Sequence, residues 1–185
     1  YQKVSEDKIL TNEEQEEWNR VVDRFHTVCK IAVKKNVPLL IDAEESWMQK
    51  SADELIEELM EVYNQEKSVV FNTLQMYRHD RMDYLKALHQ KAKEKDFHIG
   101  MKVVRGAYME KERERALEKG YPSPICKDKQ ATDDNYNAAI TYMMKHPKMA
   151  LFAGTHNEES SYLVMDLAKK YNIKEDDNRL WFCQL

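Results

Sequence analysis

Glycine and proline are scarce: the chain of 185 residues holds four of each. Gly100, Gly106, Gly120 and Gly154 never fall in the Gly-x-Gly-x-x-Gly order of dinucleotide-binding folds, and no P-loop is present, so the usual glycine-rich phosphate cradles are excluded. Cysteine is sparse too. Cys29, Cys126 and Cys183 are odd in number and scattered, which argues against a disulfide framework or a zinc ribbon and points to a reducing compartment. No apolar run approaches a bilayer span, and "YQKVSEDK" lacks a signal-peptide pattern. With 29 Lys+Arg against 33 Asp+Glu the net charge is -4 and no basic stripe stands out, so neither nucleic acid nor an anionic membrane patch is an expected partner. The chain does not begin with Met and stops abruptly at "RLWFCQL", so both ends are expected to have been cut from a longer protein.

What is present is an alternation of two periods. Thr11 followed by Glu14 has the form of a capping box, and Trp18, Val21, Val22, Phe25, Val28, Cys29 and Ala32 recur at three and four residues. This predicts an amphipathic helix over residues 12–35. "VPLLIDAEE" follows, a short apolar run ending in acids, as a strand buried on both faces would. The pattern repeats. "SVVFNTLQMY" comes after a helix expected near 51–65, "IGMKVVRGAY" after one near 78–95, "MALFAGTHN" after one near 132–145, and "RLWFCQL" after one near 158–171. Five strands with intervening helices predict a parallel α/β fold in one domain, 1–185.

Spacing narrows the architecture. From Asp42 through Gln75, Arg105 and Thr155 to Gln184 the intervals are 33, 30, 50 and 29 residues. Three of them match the roughly 31 residues of a (β/α)8 unit, so the expected class is a TIM-barrel fold, here a partial barrel of about five parallel strands. A doubly wound sheet uses the same units and stays open on spacing alone. The long interval holds "KGYPSPICKDKQATDD", whose prolines and Asp/Thr cluster read as an extended loop. The charged "MEKERERALEK" before it reads as a solvated helix face.

In a parallel barrel the chemistry collects at the C-terminal ends of the strands. Those ends carry Asp42, Glu44 and Glu45; Asn72 and Gln75; Lys102, Arg105 and Tyr108; Thr155, His156 and Asn157; and Gln184. One polar strand end is ordinary, because it emerges into solvent. Five in register mark a shared basin. Lys102 is the most informative: two residues into a buried run, an ammonium is costly unless it meets water, a carboxylate or a polar or anionic ligand. These residues leave a second reading open. Asp42, Glu44, Glu45 and His156 have the ligand types of a metal site, and Lys102 the chemistry of a Schiff-base lysine, so a metal- or Schiff-base-dependent barrel hydrolase or lyase fits as well. His26, His79, His89, His98 and His146 lie on expected helices or their ends and read as surface or half-buried side chains.

The strand-end motifs also carry a resemblance. "DAEES" at 42–46, "NTLQMY" at 72–77, "KVVRGAYMEKER" at 102–113, "YPSPI" at 121–125 and "GTHNE" at 154–158 match the proline dehydrogenase family in content, order and spacing. The chain is most similar to the single-function enzymes of bacteria and mitochondria; bifunctional bacterial members usually carry Arg at the position of Lys102 and Lys at that of Arg105. The resemblance implies a distorted barrel that holds FAD noncovalently, oxidises L-proline to Δ1-pyrroline-5-carboxylate by hydride transfer to flavin N5, and passes the electrons to a membrane quinone. It implies a location in the cytoplasm, peripheral to the bacterial inner membrane, or alternatively in the mitochondrion. Carried over by position, Gln75 and Lys102 contact the isoalloxazine, with Lys102 near N5. Arg105 and Gly106 serve the ribityl and pyrophosphate region, and Thr155, His156 and Asn157 the phosphates or adenosine. Asp42 and Tyr108 lie on the substrate side, and with Lys102 form the expected catalytic set. Glu112 and Arg113 are implied to pair.

The family's lysine-bearing strand that helps to bind the proline carboxylate is expected before residue 1, and its final helix, with paired arginines and a glutamate, beyond Leu185. An open five-stranded sheet also leaves two hydrophobic edges, of which "RLWFCQL" is the more apolar. A third reading follows: an inactive barrel fragment that forms a homo-oligomer through those edges.

Overall fold

The computed structural model describes residues 1–184. In chain order the elements are α1 (Gln2–Ser5), α2 (Asn12–Lys35), β1 (Leu39–Leu40), α3 (Ser46–Tyr63), β2 (Val70–Gln75), α4 (Arg81–Lys95), β3 (Ile99–Val104), α5 (Met109–Lys119), α6 (Lys129–Met144), β4 (Met149–Gly154), α7 (Glu158–Lys170) and β5 (Leu180–Cys183). The strands form one parallel sheet in the order β1-β2-β3-β4-β5. A doubly wound sheet reverses its strand order at a switch point, and this one does not. Five consecutive parallel strands with outer helices are half of a (β/α)8 barrel.

The alternation of side chains along each strand separates two environments. One face sends Val70, Leu74 and Met76, Ile99, Met101 and Val103, and Met149, Leu151 and Ala153 into the core shared with the helices. The other face points to the barrel interior. There Thr73 pairs with Lys102, Lys102 with Phe152, and Phe152 with Trp181. Phe152 stacks on Trp181 at 5.4 Å and meets Phe71 edge-on at 5.0 Å, an aromatic floor below the polar strand ends. Gly100 makes room for it: a Cβ there would stand 2.6 Å from the Val70 carbonyl oxygen and 2.7 Å from the Phe71 ring. Gly100→Ala is therefore expected to destabilise the chain by about 1–3 kcal/mol, seen as a lower urea midpoint at unchanged slope.

The α2 capping box forms, with the Glu14 N–H donating to Thr11 Oγ1 and the Thr11 N–H to the Glu14 carboxylate. Several boundaries differ from expectation. The helix expected at 51–65 begins at Ser46, directly after the acidic segment. β1 has only two residues, both half-buried, at one edge of the sheet. The opposite edge is as open as its sequence suggests, with Trp181 and Phe182 38% and 52% exposed. The 50-residue interval holds two helices, α5 and α6, joined by the Pro-containing loop. His89 is buried, not superficial, against Tyr142 and His146. Among the described residues no helix is long and apolar enough to cross a membrane.

Candidate active site

A cavity of about 700 Å3 opens at the C-terminal end of the sheet. Asp42, Gln75, Lys102, Arg105, Gly106, Tyr108, Thr155, His156 and Asn157 all line it. They come from the ends of β1 to β4 and the segments that follow, brought together because parallel strands in register put their last residues on one rim. Thr73, Gln75, Lys102, Val104, Gly154 and Cys183 contribute from the interior face of the sheet. Thr73, Val104 and Cys183 were not singled out by sequence; as apolar or small members of strand runs they gave no signal. Gln184 lies at the rim, its amide 3.3 Å from the Thr155 carbonyl, while Asn72 faces the opposite way, towards Asp53.

The acidic segment after β1 reaches into the cavity and meets a partner at each step. Asp42 pairs with Lys102, Glu44 accepts from the Tyr108 hydroxyl, and Glu45 pairs with Lys111. The Lys102 side chain is only 15% exposed while that of Asp42 is 70% exposed, so the cation is the desolvated member. The hydrogen bond to Glu44 pushes the Tyr108 phenol up to about 12, which keeps it a neutral donor. Gln75 gives its amide to the carbonyls of Ala43 (2.8 Å) and Glu44 (3.0 Å), leaving its own oxygen as the group it can present. The three carboxylates thus turn to three different partners, and among the described residues no group of three or more His, Cys, Asp or Glu side chains is placed to hold a metal ion.

Arg105 is a hub. Its guanidinium donates to Asp133 (2.6 Å), Thr155 Oγ1 (2.7 Å) and Ser160 Oγ (3.0 Å) and lies 4.4 Å from the centre of the Tyr136 ring. Three of its five N–H groups are used, so two remain for a ligand. Thr155 Oγ1 also accepts from the Asn157 N–H, and Asn157 caps α7 through Ser160. Gly106 has φ +128°, and a Cβ there would run into the Tyr77 ring at 2.6 Å. Its freedom is thus needed inside the protein as well as at the cavity wall.

On the far side of Arg105–Tyr108 lies a second cavity of about 790 Å3, between α5, the Pro-containing loop and the start of α6. Lys129 lines both. Lys111, Arg113 and Lys127 add positive charge. Lys129 is a site residue that sequence reading missed. In "KDKQATDD" a lysine on the first turn of a helix looks like any solvated cation, and its side chain does stay 78% exposed; only the register of α6 puts it at the edge of both cavities.

The implied pair between Glu112 and Arg113 does not form. Glu112 is fully buried and binds Ser46, while Arg113 reaches the Cys126 carbonyl at 3.5 Å. Nor is α5 simply a solvated face: neighbouring residues on one helix point about 100° apart, so Glu112 and Arg113 look in different directions. Lys111 and Arg115 both lie over the Trp47 ring.

Half of a parallel barrel with a cation in its floor and polar groups from four successive strand ends is the frame of a TIM-barrel enzyme. The proline dehydrogenase family model matches residues 2–185, and the chain belongs to that family. Proline dehydrogenase 2, mitochondrial, of Arabidopsis thaliana is 33% identical over 191 aligned positions, covering 100% of this chain and 40% of that protein. The carbapenem antibiotics biosynthesis protein CarD of Pectobacterium carotovorum subsp. carotovorum is 36% identical over 166 positions, covering 89% of this chain and 43% of that protein. Among solved structures, proline utilization A from Bdellovibrio bacteriovorus, inactivated by N-propargylglycine, superposes with a TM-score of 0.82 at 25% identity, covering 92% of this chain and 18% of that one. The chain therefore spans less than half the length of these relatives.

Proposed function

We propose that the chain is the central, flavin-holding part of a proline dehydrogenase barrel, with FAD in the cavity at the C-terminal end of the sheet and L-proline above the flavin on the side of Asp42 and Tyr108. The observation that carries this reading is the convergence of nine residues from four strand ends on one cavity, with Lys102 as the least hydrated cation in it. The donor set fits the cofactor. Lys102 offers an ammonium, and Gln75 offers a carbonyl oxygen to a ring N–H. Arg105 keeps two free N–H groups, and Lys129 on the same cavity supplies further positive charge for a pyrophosphate.

FAD, when bound, supplies the hydride acceptor and an outlet for the electrons. The residues of the chain do the rest. Lys102 places fixed positive charge beside the ring edge that becomes negative on reduction, Asp42 orients Lys102, and Tyr108 forms a wall for the pyrrolidine ring. Thr155, His156 and Asn157 hold the distal part of the cofactor. Proline turnover, a quinone acceptor, and a site at the face of the bacterial inner membrane or in the mitochondrion are assigned to the complete enzyme, since the chain is a minor part of its relatives' length. Self-association through the β1 and β5 edges is assigned to the chain alone, where Trp181 and Phe182 stand uncovered.

FAD titration of the chain, followed by quenching of flavin fluorescence, is expected to saturate, and the complex to keep a yellow colour through gel filtration. A flat titration overturns this reading of the cavity.

A further inference from the structure

The contacts between α5 and the start of α3 follow one order. Residues 108, 111, 112 and 115 are spaced to share one helix face, and they meet residues 44, 45, 46 and 47 in sequence. Tyr108 donates to Glu44, Lys111 pairs with Glu45, Glu112 binds Ser46, and the Arg115 guanidinium lies 4.1 Å from the centre of the Trp47 ring. The centre of this clasp is Glu112. It is fully buried, and its two oxygens are each 2.6 Å from Ser46, one from the backbone N–H and one from the hydroxyl.

Ser46 is the first residue of α3, where N–H groups lack intrahelical acceptors, and the N-cap residue Glu45 provides no side-chain cap. Glu112 supplies that cap from 66 residues away. A carboxylate at a helix N-terminus is also favoured by the helix dipole.

We propose that Glu112 is a positioning residue of this site: by capping α3 through Ser46 it holds residues 42–45 against β3, and so sets where Asp42 meets Lys102 and Glu44 meets Tyr108. Its effect on ligand binding rests on the flavin-site reading above; its effect on the segment rests on geometry alone. Asp42, Glu44 and Glu45 are also tied to Lys102, Tyr108 and Lys111, but through side chains; the other bonds to the backbone of the segment are few. Gln75 holds two of its carbonyls, and Gln49 accepts the Glu44 N–H at 3.3 Å. Loss of the cap should therefore loosen residues 42–47 and leave the sheet intact.

The test compares Glu112→Leu with Glu112→Gln by amide hydrogen exchange and FAD titration. Leucine fills the space and accepts nothing, whereas glutamine keeps an oxygen for the Ser46 N–H and an amide for its hydroxyl. In Glu112→Leu, exchange over residues 42–47 is expected to rise about tenfold with β2 and β3 unchanged, and FAD binding to weaken about tenfold; Glu112→Gln should stay within about threefold of wild type on both. Should the leucine variant fail to fold, Ser46→Ala, which loses only the hydroxyl bond, is expected to raise exchange locally about threefold. The proposal is overturned by wild-type exchange over 42–47 in the leucine variant (or, if that does not fold, in Ser46→Ala), by exchange raised uniformly along the chain, or by glutamine behaving as leucine does. If the wild-type chain binds no FAD, the flavin reading fails while the exchange comparison still decides the clasp.

Discussion

In the complete enzyme, Lys102→Met is expected to slow the reduction of FAD by proline about 10²- to 10³-fold while leaving the fold at least as stable as before. The two halves of this result have different origins. Stability is indifferent to Lys102 because its partner is poorly placed to reward it: the Asp42 side chain is 70% exposed, and an ion pair with one member in water is worth at most about 1 kcal/mol. The ammonium, at 15% exposure, still bears a desolvation cost that methionine in the same volume would not. A lysine that does little for the fold at an interior strand position is best explained by the charge it brings to the cavity.

That charge matters where negative charge develops during the reaction, and a cation already fixed in place stabilises it without reorganising. Stopped-flow reduction of the bound flavin and urea unfolding would be measured on the same variant. Lys102→Arg should recover most of the rate, since it restores a cation. Reduction at the wild-type rate in Lys102→Met would remove Lys102 from the reacting edge, and a large drop in stability with a proportionate loss of flavin would make it a structural residue.

Lys102 was legible because a single ammonium inside an apolar run violates the strand's pattern, and the violation needs a local cause. The parallel order was legible for a similar reason: runs such as "SVVFNTLQMY" are apolar on both sides, which only a covered sheet permits. What escaped the sequence were features decided by distant partners. Glu112 sits within a stretch of alternating charges, where the charge pattern does not distinguish it from Glu110 or Glu114 and the resemblance implied a different partner, Arg113; its actual partner is Ser46, 66 residues earlier. Lys129 becomes a cavity residue only through the register of α6. Periodicity reports which face is apolar. It does not report which polar residue is turned inward to answer another.

Arg105 shows the same limit from the other side, and removing it should damage the folded chain itself. Arg105→Leu is expected to cost about 2–3 kcal/mol, read as a fall in the urea midpoint. The guanidinium joins β3 to α6 through Asp133, to the end of β4 through Thr155 and to α7 through Ser160, and it packs on Tyr136. Leucine replaces none of these bonds. The figure lies below the usual loss for a severed buried pair because Asp133 keeps Lys129. Arg105→Lys should cost about half as much: it keeps the charge but not the planar fork that reaches three acceptors at once. Acid provides an internal check. Burial opposes ionisation of Asp133, but the hydrogen bonds from Lys129 and Arg105 outweigh it and hold the carboxyl below its ordinary value of 3.8. Stability from a depressed carboxylate is present above that value and is lost as pH falls through the lowered one. The gap between wild type and Arg105→Leu should therefore be full at neutral pH and narrow below about 3.8 to what the Thr155 and Ser160 bonds contribute. A gap that stays constant into acid would mean that the ion pair contributes nothing and that Arg105 acts through its neutral contacts alone.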